Sequence, residues 1–327
     1  MALPLLLSIP VITFTAFSGA DNFLSAAKSN REAKTINENA EDIIEASRED
    51  MEYYRNSTEK YISDLGKTKL LLSSIELNKF VETYSKIKLV NLKGSVGLNE
   101  IRDIGFDQND IKEMKSISVK AGQVLQNGLA GVGAGALVGW GVYGGISTFA
   151  TAGTGTTICT LSGVAATNAT LAWLGGGSIA AGGLGITGGI TILGGLIAGP
   201  ALMIMGGLTN TLSKKNCDNA YSNLAEAREF SEKVYTAGME LEVISRTAVI
   251  INANLKRLRE RMQVANATMA DVVARSVDWN DYSDAEKRAV AIAVKYAMTA
   301  KSFLDMPLLK ENGVLTDTAR KLHEDYQ

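Results

Sequence analysis

Charge is missing from this chain over one long stretch. From residue 121 to residue 213, 93 consecutive positions hold no Asp, Glu, Lys, Arg or His, and the 33 basic and 35 acidic side chains all lie elsewhere. Exposed faces of a folded domain need solvating side chains, so this stretch does not read as an ordinary soluble domain. A bilayer imposes the same exclusion directly, because a charge at its centre costs several kcal/mol. Histidine is nearly absent too. The single His323 lies near the C-terminus in a polar segment and reads as solvent-exposed, which excludes an ordinary Ser-His-Asp triad or a His-based metal site. Two cysteines, Cys159 and Cys217, are too few for a disulfide framework and read as buried or membrane-facing small residues.

Phosphate chemistry is missing as well. There is no G-x-x-x-x-G-K-[ST] run, and the isolated Gly-x-Gly patterns lack a strand–turn–helix context. No enzyme activity and no cofactor are expected. A net charge of −2 gives the whole chain no attraction to nucleic acid or anionic lipid. Proline occurs four times, and Pro307 is the only one in the two charged regions, so long helices there meet few breakers.

What is present divides the chain into five segments: an apolar N-terminal segment (1–20), amphipathic coiled-coil helices (21–120), a Gly-rich transmembrane hairpin region (121–213), a second coiled-coil helix (214–265) and a small helical tail (266–327). The expected fold is all-α, with long antiparallel heptad helices flanking the charge-free hairpin. Residues 1–20 carry no charged side chain and contain Pro4 and Pro10. They are compatible with a cleaved signal, a retained membrane-associated segment or a packed soluble segment.

Seven-residue spacing defines the first long helix through Ala26, Ala33, Ala40, Ser47, Tyr54, Tyr61, Thr68 and Ile75, with Ile36, Ile43, Leu65 and Leu72 beside them. Gly66 is expected to bend it. Phe80, Val81, Tyr84, Ile87 and Val90 continue an apolar face. Residues 91–110 read as a connector with a short helix from Asn99, and another helix is expected to start near Asn109 or Asp110.

The second helix is cleaner. Ala220, Ala227, Val234, Leu241, Ala248, Leu255 and Met262 form one seam position, and Phe230, Ala237, Ile244, Ile251 and Leu258 the other. The economical arrangement has it returning antiparallel to the first. Lys256, Arg257, Arg259 and Arg261 form its basic end and read as solvated flanks. In the tail, Ser283 to Glu286 start a helix, Asn312 and Gly313 turn the chain, and 316–326 forms a last short helix. Asp278, Asp281, Asp284 and Glu286 read as helix-capping acids, not a cation site. No strand series is visible.

The charge-free window is long enough for two to four crossings of about 20 residues each. Candidate spans are 129–150, 158–174 and 179–208. Lys115 and Lys120 before it, and Lys214 and Lys215 after it, are the membrane-flanking cations. The positive-inside preference puts both ends on one side, so the number of crossings is even. The window holds 25 of the 32 glycines, several spaced by four: Gly131, Gly135 and Gly139; Gly141 and Gly145; Gly185 and Gly189; Gly195 and Gly199. On a helix such spacing makes a flat groove that lets two backbones pack closely. Glycine also lowers hydrophobicity and helix propensity. Such a window suits a segment that shelters in a soluble bundle and inserts on a trigger.

The stretch TLAWLGGGSIAAGGLGITGGITILGGLIAGP, residues 170–200, resembles glycine-zipper segments of uncharacterised bacterial helical proteins. It is also similar to the apolar hairpins of helical pore formers, including the apolipoprotein L group and haemolysin-E-type toxins. The close resemblance covers roughly 30–60 residues, the flanking helices matching in architecture. It implies membrane insertion, oligomerisation and permeabilised bilayers, and carries no catalytic residue.

The expected function is a membrane-inserting, pore-forming effector or toxin that oligomerises through its glycine zippers. The alternatives are a constitutive membrane-anchored coiled-coil scaffold and a soluble helical protein with the window in its core. Expected partners are a lipid bilayer, further copies of the chain, and a protein on the coiled coil or tail, with no nucleic acid. The expected location is a membrane: the bacterial inner membrane, or a target membrane after a soluble state.

Overall fold

A computed structural model describes residues 22–88, 106–125, 132, 134–143, 217–310 and 314–325. These residues are all-α apart from loops and two isolated bridges. Helix α1 (Asn22–Leu71) passes through a π-helical stretch (Leu72–Leu77) into α2 (Asn78–Tyr84). Then follow α3 (Gln108–Val124), α4 (Ala134–Tyr143), α5 (Cys217–Arg275), α6 (Asp284–Asp305) and α7 (Asp317–Glu324). Among the described residues no helix is long and apolar enough to cross a membrane. The candidate spans 158–174 and 179–208 lie outside those residues, as do residues 1–20 and the short helix expected from Asn99.

The spine is α1 packed along α5, which at 59 residues is roughly 90 Å long at 1.5 Å per residue. Its direction corrects the antiparallel expectation: the two helices run parallel. Asn223 Nδ2 donates to Asn37 Oδ1 at 2.9 Å, the Thr58 and Ser245 hydroxyls meet at 2.8 Å, and Gln263 Nε2 donates to Glu76 Oε1 at 2.9 Å. Both partners advance together along the chain. The two C-terminal exits are also tied to each other. Lys88 N donates to Val277 O at 2.7 Å and Trp279 N to Lys88 O at 3.1 Å.

Burial on α5 follows sevens: Ala220, Ala227, Val234, Leu241, Ala248, Leu255, Met262 and Met269 are all at most 2% exposed. On α1 the buried stripe departs from sevens. Tyr54 is half-buried and Tyr61 is 37% exposed. Burial follows elevens instead, through Ile36, Ser47, Thr58, Lys69 and Phe80, and through Ala40, Met51, Ile62, Ser73 and Tyr84. Eleven residues make 3.67 per turn, close to a straight helix, so this stripe drifts little around α1. The π stretch then turns Leu72, Ser73, Glu76 and Leu77 all inward.

Caps set the shorter helices. Asp107, not Asn109 or Asp110, caps α3. Its side chain accepts from the Asn109 and Asp110 amides, and the Asp110 carboxylate closes the box on the Asp107 amide. The Asp110 and Asn109 amides hold the Asp107 carboxyl below its ordinary value. Ser283 and Glu286 form the same box at α6, and Thr316 caps α7. Helices α6 and α7 pack on α5, and α3 packs on the π stretch and α2. Phe80, Tyr84 and Phe106 cluster at the base with centroids 5.4 to 6.2 Å apart. Burial there pushes the Tyr84 phenol up to about 12.

Candidate functional site

Helix α4 is the described helix of the charge-free window beyond residue 125, and it docks on α1. Leu137, Val138, Trp140 and Val142 are each at most 5% exposed. The docking depends on glycine. A Cβ on Gly66 would overlap the Leu137 carbonyl and reach the Gly141 amide nitrogen at 3.0 Å. A Cβ on Gly141 would overlap the Ile62 carbonyl. The two backbones therefore cross in direct contact, with Leu137 near Gly66 and Gly141 between Ile62 and Gly66. The order of these contacts sets α4 antiparallel to α1. Gly66 does not end or break α1, which continues as α-helix to Leu71. It lets α4 approach closely.

A strap of residues 306–309 fastens the C-terminal end of α4. Leu308 N donates to Val142 O at 2.6 Å. The strap is held from the tail, where Thr316 Oγ1 donates to Pro307 O at 2.8 Å and Thr316 N to Leu308 O at 3.1 Å. It is held from α1 by Lys69, whose Nζ donates to Met306 O at 3.3 Å. Lys69 is 1% exposed. Burial lowers its ammonium to about 7, against the opposing pull of the Asp305 carboxylate. A lysine at the foot of the α4 clasp is thus close to losing its proton near neutral pH.

About two turns along, the π stretch carries Glu76 into the α1/α5 interface, where its side chain is fully buried. Gln263 Nε2 donates to Glu76 Oε1, Arg259 Nε stands 3.5 Å from the same oxygen, and Asn266 Nδ2 donates to Glu76 O at 2.9 Å. Arg259, expected among solvated flanks, is thereby drawn to a buried carboxylate. Neither Lys69 nor Glu76 stood out in the sequence. The only signal was a charge inside each apolar run, KLLLSSIEL.

The other expected site residues fall as follows. Gly135, Gly139 and Gly141 lie in α4, with Gly139 and Gly141 buried. Gly141 packs against α1 of its own chain. Gly131, Gly145, Gly185, Gly189, Gly195 and Gly199, with Lys214 and Lys215, lie outside the described residues. Lys115 is exposed and Lys120 half-buried on α3. Ala227, Phe230, Val234, Leu241, Ile244, Ile251, Leu255 and Leu258 are all buried. His323 corrects the exposed reading, being 6% exposed at the end of α7. The acids after α5 serve the local backbone and its neighbours: Asp278 accepts from Asn280 N, Asp281 from Ser276 Oγ, and Glu286 pairs with Arg275 at 2.9 Å. Asp284 lies in the first turn of α6. Among the described residues no group of acids, cysteines and histidine is arranged to hold a metal ion. Neither family models, nor curated proteins, nor solved structures give a match to this chain.

Proposed function

We propose that this protein is a conditional membrane-inserting helical effector, which shelters the start of its apolar window against a soluble coiled-coil spine and permeabilises a bilayer as an oligomer. The observation that carries the reading is the docking of α4. Helix α4, inside the 93-residue charge-free stretch, packs against α1 at a glycine crossing and is closed by a hydrogen-bonded strap. A constitutive anchor has no need of such a dock. A segment that leaves one environment for another needs a specific dock, and the glycine crossing supplies that shape while Leu137, Val138, Trp140 and Val142 are kept from water until a trigger releases them. The glycine grooves further along, at Gly185 and Gly189 and at Gly195 and Gly199, are the proposed contacts between copies.

The test is dye release from liposomes by the full-length protein, with flotation of the same vesicles. The expected result is flotation with release, and loss of release in Gly185→Leu/Gly189→Leu. Flotation without release would move the protein to the anchored-scaffold reading. An absence of flotation under every condition tried would leave the window as a core element of a soluble protein.

A further inference from the structure

We propose that the exposed face of α3 is the surface by which the protein first meets an anionic bilayer, a step that rests on the membrane-inserting reading above. Helix α3 is amphipathic: Met114, Ile117, Ser118 and Ala121 are buried. Its opposite side presents Lys112, Lys115, Ser116, Val119 and Gln123, which line one shallow open depression together with Lys120. Lys112 and Lys115 are exposed, and Val119 is 47% exposed between them and the helix end.

The acids of α3 do not cancel this face. Lys301 on α6 pairs with two of them, its Nζ 2.9 Å from Glu113 Oε2 and 3.9 Å from Asp110 Oδ1, while also holding Asp305 at 3.0 Å. Desolvation disfavours the Lys301 ammonium, but the Glu113 and Asp305 carboxylates outweigh it and hold it above its ordinary value. Asp107 accepts from the amides that start the helix and stays ionised near Lys112, offsetting part of that lysine's charge. No acid is among the residues that line the depression, although the whole chain is slightly acidic.

Position selects the occupant. Lys120 is the last charge before residue 121 opens the charge-free window, so the face sits at the entrance of the segment proposed to insert. Lysines around an apolar side chain fit an anionic lipid surface, where ammonium groups stay among the phosphates and Val119 reaches the acyl boundary. A nucleic-acid track would need more phosphate contacts than one short helix offers.

The experiment floats full-length protein with phosphatidylcholine vesicles containing or lacking phosphatidylglycerol, over a salt series. Each lysine near such a surface is worth about 1 kcal/mol, so Lys112→Gln/Lys115→Gln is expected to lower partitioning roughly thirtyfold. Lys112→Arg/Lys115→Arg should restore it, and wild-type binding should weaken with salt. Circular dichroism of each variant checks that α3 still folds. Equal flotation of the Gln variant and wild type would overturn the proposal while leaving dye release to judge the pore reading separately. Lysine-dependent flotation without dye release would support the surface and refute the pore. Lysine-dependent binding to duplex DNA with no flotation would also overturn the surface.

Discussion

Gly66 of α1 and Gly141 of α4 stand where two helices cross so closely that neither position has room for a methyl group. Helix propensity alone predicts that alanine at either site stabilises by about 1 kcal/mol. The crossing predicts the opposite sign. Gly66→Ala and Gly141→Ala should each cost about 1–3 kcal/mol in urea unfolding, because a packed backbone has to move. Trp140, 2% exposed beside the crossing, should shift its emission to the red in a variant where Trp173 and Trp279 are replaced by phenylalanine. A stabilised Gly66→Ala with unchanged emission would refute the dock.

The parallel spine is checked by distance. Spin labels at the exposed positions Glu38 and Arg228 should lie near one another, since Asn37 bonds Asn223. Labels at Glu38 and Glu260 should be separated by about 50 Å along the spine. Antiparallel helices would reverse the order of the two distances.

Lys69 makes stability depend on pH. Its ammonium falls from 10.5 in the ordinary state to about 7 when buried. Between those values the unfolded chain binds a proton that the folded chain does not, so stability rises with pH from 7 towards 10.5 and is lowest below 7. Unfolding free energies between pH 7 and 9.5 should climb by up to about 1.4 kcal/mol per pH unit from this group. Lys69→Met should remove that slope and raise stability at pH 7 by about 1–4 kcal/mol. An unchanged slope would place the proton elsewhere.

Glu76 is a buried acid with partners on the facing helix. Glu76→Ala strands Arg259 and Gln263 and should cost about 3–5 kcal/mol. Glu76→Gln keeps the shape and an acceptor for Gln263 and should cost less. Combining Glu76→Ala with Arg259→Met should recover part of the loss in a double-mutant cycle, and strict additivity would deny the pairing.

Read alone, the amino-acid order determined that the chain is helical, where α5 buries its stripe, that helices start at Ser283 to Glu286 and near Thr316, and that one long window excludes charge. These are local properties: heptad spacing chooses one face of a helix, and a Ser three residues before a Glu caps its start. The direction of the spine was not local. Apolar burial is non-directional, so an Ala-, Leu- and Ile-lined stripe on α5 is as well covered by a parallel partner as by an antiparallel one. The choice rests on polar pairs far apart in sequence, Asn37 with Asn223, Thr58 with Ser245 and Glu76 with Gln263, which meet in one orientation only. The eleven-residue stripe on α1, the burial of Lys69 and His323, and the contact of Gly66 with Gly141 were likewise decided by tertiary structure, because each depends on what another element brings to the surface of the helix.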